Sequence, residues 1–213
     1  MTIAVIDYGM GNLHSVAKAL EHVTHENVLV TRDARSIQGA TRVVLPGQGA
    51  IRDCMGELER TELSGLVREL LASQSKPLLG ICVGQQMLMD HSDENGGIDC
   101  LGHLAGQVKR FPLDMQNSDG ARLKVPHMGW NLVAQPNAHP LWEGIEPGSH
   151  FYFVHSYYVA AEHDAEVFGT TDYGSVSAHV AVGRDATFAV QFHPEKSARA
   201  GLRLLENFVQ WNP

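Results

Sequence analysis

Pro77-Leu78-Leu79-Gly80-Ile81-Cys82-Val83-Gly84-Gln85-Gln86 is the stretch on which the fold turns. Its first five residues form a continuous apolar run, the pattern of a strand buried on both faces in a parallel sheet. A cysteine between glycines follows at once, where such a strand turns sharply into a helix and pushes the thiol into solvent. That is the position for a nucleophile. A thiol at the start of a helix also lies at the positive end of the backbone dipole, beside unpaired N–H groups, and both favour the thiolate.

Working outward, residues 3–6 read as a short buried strand, and after the loop Asp7-Tyr8-Gly9-Met10-Gly11-Asn12 the residues Leu13, Val16, Ala17, Leu20 and Val23 fall at helical spacing. Residues 28–30 and 43–45 supply two more strands. The second ends at Pro46-Gly47-Gln48-Gly49, whose glycines permit close backbone approach to a ligand. Helical residues fill roughly 53–73. Beyond about His91 the pattern shifts to shorter strands broken by Gly, Pro and Asn, expected at 131–134, 151–154, 166–169, 176–182 and 187–192. Leu202, Leu205, Phe208 and Val209 make 198–210 a closing amphipathic helix. The expected fold is α/β: a single domain over residues 1–213, with a mixed, mostly parallel sheet flanked by helices.

The second chemical signal is His193-Pro194-Glu195, more than a hundred residues after the cysteine. Pro194 biases His193 to extended geometry and holds the ring at a strand end. Residues two apart in an extended backbone share a face, so Glu195 is placed to orient His193 and to stabilise the imidazolium. Cys82, His193 and Glu195 thus supply nucleophile, base and orienter. The backbone N–H of Val83, with a second from the loop carrying Gly47 and Gly49, suits an oxyanion developing under attack.

Each signal alone has a plainer reading: a lone buried cysteine behaves as a small hydrophobe, and His-Pro-Glu also fits a strand-ending turn. Cys54 and Cys100, which lack glycine flanks, keep the plainer reading. Three cysteines without a Cys-x-x-Cys pair argue against a disulfide framework or structural zinc and fit a reducing cytoplasm. No His-Glu-x-x-His is present, and the pairs His22 with His25 and His150 with His155 lack acidic or thiol partners in ligand register, so no metal is expected. A net charge of −8 with 16 dispersed basic residues argues against nucleic-acid and anionic-membrane surfaces. The amino terminus meets Asp7 before an apolar stretch develops, and no segment approaches a membrane span. No cofactor is expected.

The cysteine motif Gly80 to Gln86 and the distal His193-Pro194-Glu195 resemble those of the class I glutamine amidotransferases. Asp7 to Asn12, Pro126-His127-Met128-Gly129-Trp130-Asn131 and His155-Ser156-Tyr157-Tyr158 are similar to the branch of that family whose members feed ammonia to a histidine-biosynthesis cyclase. The resemblance implies hydrolysis of L-glutamine through a thioester on Cys82. It also implies that Gln86 and the backbone of Ser156 and Tyr157 bind glutamine, with Gly49 and Val83 lining the oxyanion site. Most family members carry leucine where this chain has Val83, but only the N–H is needed. Gln48 receives no side-chain role. The implied partner is a cyclase subunit with a (β/α)8 barrel, in a heterodimer whose glutaminase activity stays low until that partner and its substrate are present. Met128 and Trp130 suit either that contact or the chain's own core. A γ-glutamyl peptidase on the same scaffold, or a catalytically silent binding subunit, are the competing functions; intact Cys82, His193 and Glu195 speak against the silent one.

Overall fold

The computed structural model describes residues 1–117 and 119–213. Strand β1 (Thr2–Ile6), helix α1 (Leu13–Val23) and strand β2 (Asn27–Thr31) open the chain, with Val16, Ala17, Ala19 and Leu20 as the buried stripe of α1. A short helix, α2 (Ala34–Gly39), was not anticipated; the Asp33 carboxylate caps it by accepting from the Ser36 N–H. Strand β3 (Arg42–Gly47) is buried throughout. The expected helical stretch 53–73 is two helices, α3 (Ile51–Arg60) and α4 (Ser64–Ser73), because Glu62 between them takes a φ of 59°. Strand β4 (Leu78–Cys82), buried at all five positions, runs directly into the one-turn helix α5 (Val83–Gln86).

The second half contributes β5 (His91–Ser92), β6 (Ile98–Asp99), β7 (Gly106–Arg110), β8 (His127–Val133), β9 (Ser149–His155), β10 (Tyr157–Ala161), β11 (Val167–Tyr173), β12 (Val176–Arg184) and β13 (Thr187–Val190), closed by α6 (Ala198–Gln210). The main sheet runs β2-β1-β3-β4-β13-β12-β10-β7-β5-β6, with β11 paired to β12. Its first five strands are parallel and the rest mostly antiparallel, the mixed sheet expected. β13 returns parallel to β4 with Val190 opposite Ile81, and β3 places Gly47 opposite Cys82. That register delivers the chain after β13 and the loop after β3 to the end of the sheet where β4 turns.

Strands β8 and β9 pair outside this sheet as an antiparallel ribbon. The outward face of β8 carries Met128, Trp130 and Leu132, 62 %, 53 % and 50 % exposed, so Met128 and Trp130 do not fill the chain's own core. Beneath the parallel half, the buried Arg42 guanidinium donates to the carbonyls of Phe208 and Trp211 and to Asn212 Oδ1, closing the C-terminal end of α6. Among the described residues no helix is long and apolar enough to cross a membrane. The same residues contain no group of three or more His, Cys, Asp or Glu able to hold a metal ion.

Candidate active site

Cys82 sits at the β4–α5 junction with φ 57° and ψ −114°, a conformation costly for any residue with a Cβ. Its neighbours explain how the turn is made. A Cβ on Gly84 would stand 2.0 Å from the Leu45 carbonyl oxygen, and one on Gly80 would stand 2.9 Å from the Ala189 Cβ. Only glycine lets α5 lie this close to β3. The expected exposure of the thiol is corrected: Cys82 is 5 % exposed, because α5 folds straight back over the sheet edge. Its surroundings are nonetheless open on one side, to a cavity of about 330 Å³. The dipole argument shrinks too, since α5 is a single turn and supplies little of the field of a full helix.

Seven of the eight residues singled out from sequence line this cavity: Gly49, Cys82, Val83, Gln86, Ser156, Tyr157 and His193. The eighth, Glu195, stands behind His193, its Oε1 2.9 Å from the ring Nδ1, with side chains 1 % and 5 % exposed. The contact is made through the one-turn Pro194–Lys196 helix, not along a strand, although His193 itself is extended at φ −96° and ψ 98°. Main-chain bonds fix the ring's base: the His193 N–H donates to the Tyr152 carbonyl at 3.0 Å and the Ser197 hydroxyl donates to the His193 carbonyl at 2.6 Å. Burial alone pushes His193 down, but the Cys82 sulfur and the Glu195 carboxylate outweigh it and hold the imidazolium well above its usual range. The Nε2 atom has no partner in hydrogen-bond geometry among the described residues, as is common in a site without substrate.

The loop after β3 is held from behind. The Tyr8 hydroxyl donates to the Pro46 carbonyl at 2.7 Å, and the Cys54 thiol donates to the Gln48 carbonyl at 3.5 Å. A trans peptide points its C=O and N–H in opposite directions, so the Gly49 N–H faces away from Cys54. Val83 is the first residue of α5, where the N–H has no partner within the helix. Burial pushes the Cys54 and Cys100 thiols up to about 11 and about 12, which keeps both protonated and inert.

Three features were not anticipated. Gln86 commits its amide nitrogen inside the protein, donating to the Tyr157 carbonyl at 3.3 Å and to Gln191 Oε1 at 2.8 Å, so only its Oε1 is free for a ligand. Gln191, 1 % exposed, donates in turn to the Cys82 sulfur at 3.7 Å. Its one sequence signal is its place two residues before His193 at a strand end. Glu94 brings a carboxylate to the cavity rim, where Oε2 accepts from the Ile51 N–H at 2.8 Å; nothing in the polar run around it marked this position.

Comparison with known proteins places this geometry among relatives. The family described as Glutamine amidotransferase class-I matches residues 4–211. The chain is 57 % identical over 211 residues to the imidazole glycerol phosphate synthase subunit HisH of Pseudomonas putida, covering 99 % of this chain and 98 % of that protein. It is 60 % identical over 214 residues to the subunit of the same name from Dechloromonas aromatica, covering 100 % and 97 %. Among solved structures, one titled as a glutamine amidotransferase superposes with a TM-score of 0.70 at 20 % identity, covering 98 % of this chain and 97 % of that one. PurLQS from Thermotoga maritima gives 0.71 at 18 % identity with the same coverage. At such identities these two speak for the fold alone.

Proposed function

Because the chain belongs to the class I glutamine amidotransferase family, we propose that its cavity hydrolyses the side-chain amide of L-glutamine, as the glutaminase subunit of an imidazole glycerol phosphate synthase in histidine biosynthesis. The observation that carries the reading is the strained Cys82 on the same cavity as a His193 whose other ring nitrogen is held by Glu195. Residues 1–213 act as one amidotransferase domain, and three unbridged cysteines suit the reducing cytoplasm.

In this reading the Cys82 sulfur bonds to the amide carbon and the carbonyl electron pair moves onto oxygen, where the N–H groups of Gly49 and Val83 receive it. Collapse breaks the C–N bond, and nitrogen leaves as ammonia with the proton from His193 Nε2. The neutral ring then takes a proton from water as the water oxygen attacks the thioester, releasing glutamate and restoring the Cys82 thiolate and the imidazolium. Glu195 stabilises that imidazolium throughout. Glutamine is held by Gln86 Oε1 and the backbone of Ser156 and Tyr157, with the Glu94 carboxylate facing its ammonium. No metal or cofactor enters any step.

Ammonia released into water at neutral pH gains a proton and loses its nucleophilic lone pair, so the product must pass directly to an acceptor site. A subunit of a synthase fits that need. The finer proposal is a heterodimer with a (β/α)8-barrel cyclase, docked on the exposed β8 face: Met128 and Trp130 are residue types enriched in interface cores, and a groove of about 970 Å³ lined by Leu113, Leu123, Val125 and Met128 adjoins them. The test is Cys82→Ala in the complex with the cyclase. Glutamine-dependent synthesis is lost while synthesis from ammonium salts persists; retained glutamine turnover overturns the assignment. Glutaminase activity of the free chain is held low, and equal ammonia release with and without the cyclase and its nucleotide ligand refutes that restraint.

A further inference from the structure

A buried chain of amides and imidazoles runs behind the cavity, and two main-chain carbonyls fix the proton on every member. The Tyr157 carbonyl carries no hydrogen, so the Gln86 atom 3.3 Å from it is the amide nitrogen. The same nitrogen lies 2.8 Å from Gln191, which obliges Gln191 to present its oxygen there. The other end of the Gln191 amide, its NH₂, is left facing Cys82 Sγ at 3.7 Å. On the far side, the Tyr157 carbonyl accepts from the Nδ1–H of His155 at 2.8 Å, so His155 Nε2 is bare and accepts from the Nδ1–H of His127 at 2.9 Å. His127 Nε2 accepts in turn from the Asn131 amide, which also donates to the Asp172 carbonyl. Reversing any member sets hydrogen against hydrogen or lone pair against lone pair.

The sheet explains why Gln191 reaches the sulfur. Val190 pairs with Ile81 in parallel register, so the next residue on each strand, Gln191 and Cys82, come side by side at the end of the sheet. Gln191 is not among the cavity-lining residues and is buried, so its donor reaches the sulfur from within the protein.

Resting on the reading of Cys82 as the glutaminase nucleophile, we propose that Gln191 is a further catalytic residue, an obligate donor to the sulfur that favours its anionic form and fixes it for attack on the glutamine amide. A neutral residue of the same size without a donor removes this support. Hydrogen bonds to charged acceptors are the stronger ones.

The test is the pH dependence of Cys82 alkylation by iodoacetamide in the full chain, each cysteine followed by mass spectrometry, for wild type, Gln191→Met and Gln191→Glu. The glutamate variant preserves the acceptor for Gln86 and so the strand's support if Gln191→Met fails to fold. The expected result is about a tenfold slower modification at pH 7 in Gln191→Met, at the low end for losing one charge-assisted hydrogen bond, with the inflection moved to higher pH. Gln191→Glu gives a larger loss, with Cys54 and Cys100 unmodified in both. A wild-type rate and inflection overturns the proposal. So does faster labelling of all three cysteines, since a merely structural role loosens the core and speeds access. Glutamine turnover that survives complete alkylation of Cys82 instead refutes the reading of Cys82 as the nucleophile, whatever Gln191 does.

Discussion

Replacing Glu195 by glutamine removes one charge from a pair that water hardly reaches: side chains 1 % and 5 % exposed, with Oε1 2.9 Å from His193 Nδ1. Taking about 4 Å between charge centres and an effective dielectric near 20, the attraction that favours the imidazolium is about 4 kcal/mol. At 1.36 kcal/mol per decade that is roughly a thousandfold in any step that depends on His193 carrying its proton. The carboxamide gains nothing in exchange. Among the described residues Glu195 Oε2 is buried without a partner, so an NH₂ in that place finds no acceptor there, and turning it toward the ring removes the proton from Nδ1. The assay is steady-state glutamine hydrolysis by the complex between pH 6 and 10. kcat falls about a thousandfold with KM nearly unchanged, because Glu195 does not line the cavity. The alkaline limb moves to lower pH, since one of the two groups, with the Cys82 sulfur, that hold His193 above its usual range is gone. A loss smaller than tenfold, or an alkaline limb that stays in place, refutes the orienting role.

Gly84→Ala puts a Cβ 2.0 Å from the Leu45 carbonyl oxygen and forces α5 off β3; turnover drops at least a hundredfold and stability by about 3 kcal/mol, read by calorimetry and by activity, and normal values of both refute the steric account. Arg42→Met leaves the carbonyls of Phe208 and Trp211 without their donor in a buried site; about 3 kcal/mol is lost, a fall of roughly 6–12 °C in Tm, and an unchanged Tm shows that water replaces the guanidinium. Burial lowers His127, His139 and His155 to about 4, about 4 and about 3. Each is neutral when folded and takes a proton on unfolding below its ordinary 6.5, so their stabilisation is complete above that pH and declines toward pH 4. The slope is at most about 1.4 kcal/mol per unit for each. Urea midpoints at pH 7, 6 and 5 measure it, and a flat series contradicts the neutral assignment.

The parallel half was readable because its inner strands are buried on both faces and announce themselves as unbroken apolar runs; Leu78 to Ile81 and Val43 to Leu45 lie where expected. The cysteine and histidine motifs were readable because glycine and proline restrict the backbone around them. What escaped has physical reasons. β7 exposes Gln107, Lys109 and, on the other face, Arg110, and buries only two residues, so its alternation is faint. α2 is six residues, too short for a period to show. The break between α3 and α4 falls at Glu62, a residue that rarely adopts positive φ, with neither glycine nor proline to mark it. Gln191 looks like any polar residue at a strand end until the register with β4 is known. The buried thiol was misjudged for a related reason: local sequence shows the sharp turn but not how closely α5 packs on β3.

That close packing is what turns a strained cysteine into a site. Three glycines from two strands and a helix interlock: beyond the contacts of Gly84 and Gly80, a Cβ on Gly47 would stand 2.8 Å from the Gly84 nitrogen. Main chains that bulkier residues hold apart therefore meet within contact distance, and each brings a different group. The loop after β3 brings the Gly49 N–H, β4 the sulfur, α5 the Val83 N–H, and the chain after β13 both Gln191 and His193. An unfavourable φ at Cys82, of the order of 1–3 kcal/mol, persists because parallel pairing on both sides of β4 leaves its last residue no relaxed path into α5. The strain and the convergence share one cause: relieving the first by moving α5 outward separates the N–H groups of Gly49 and Val83 from the Cys82 sulfur.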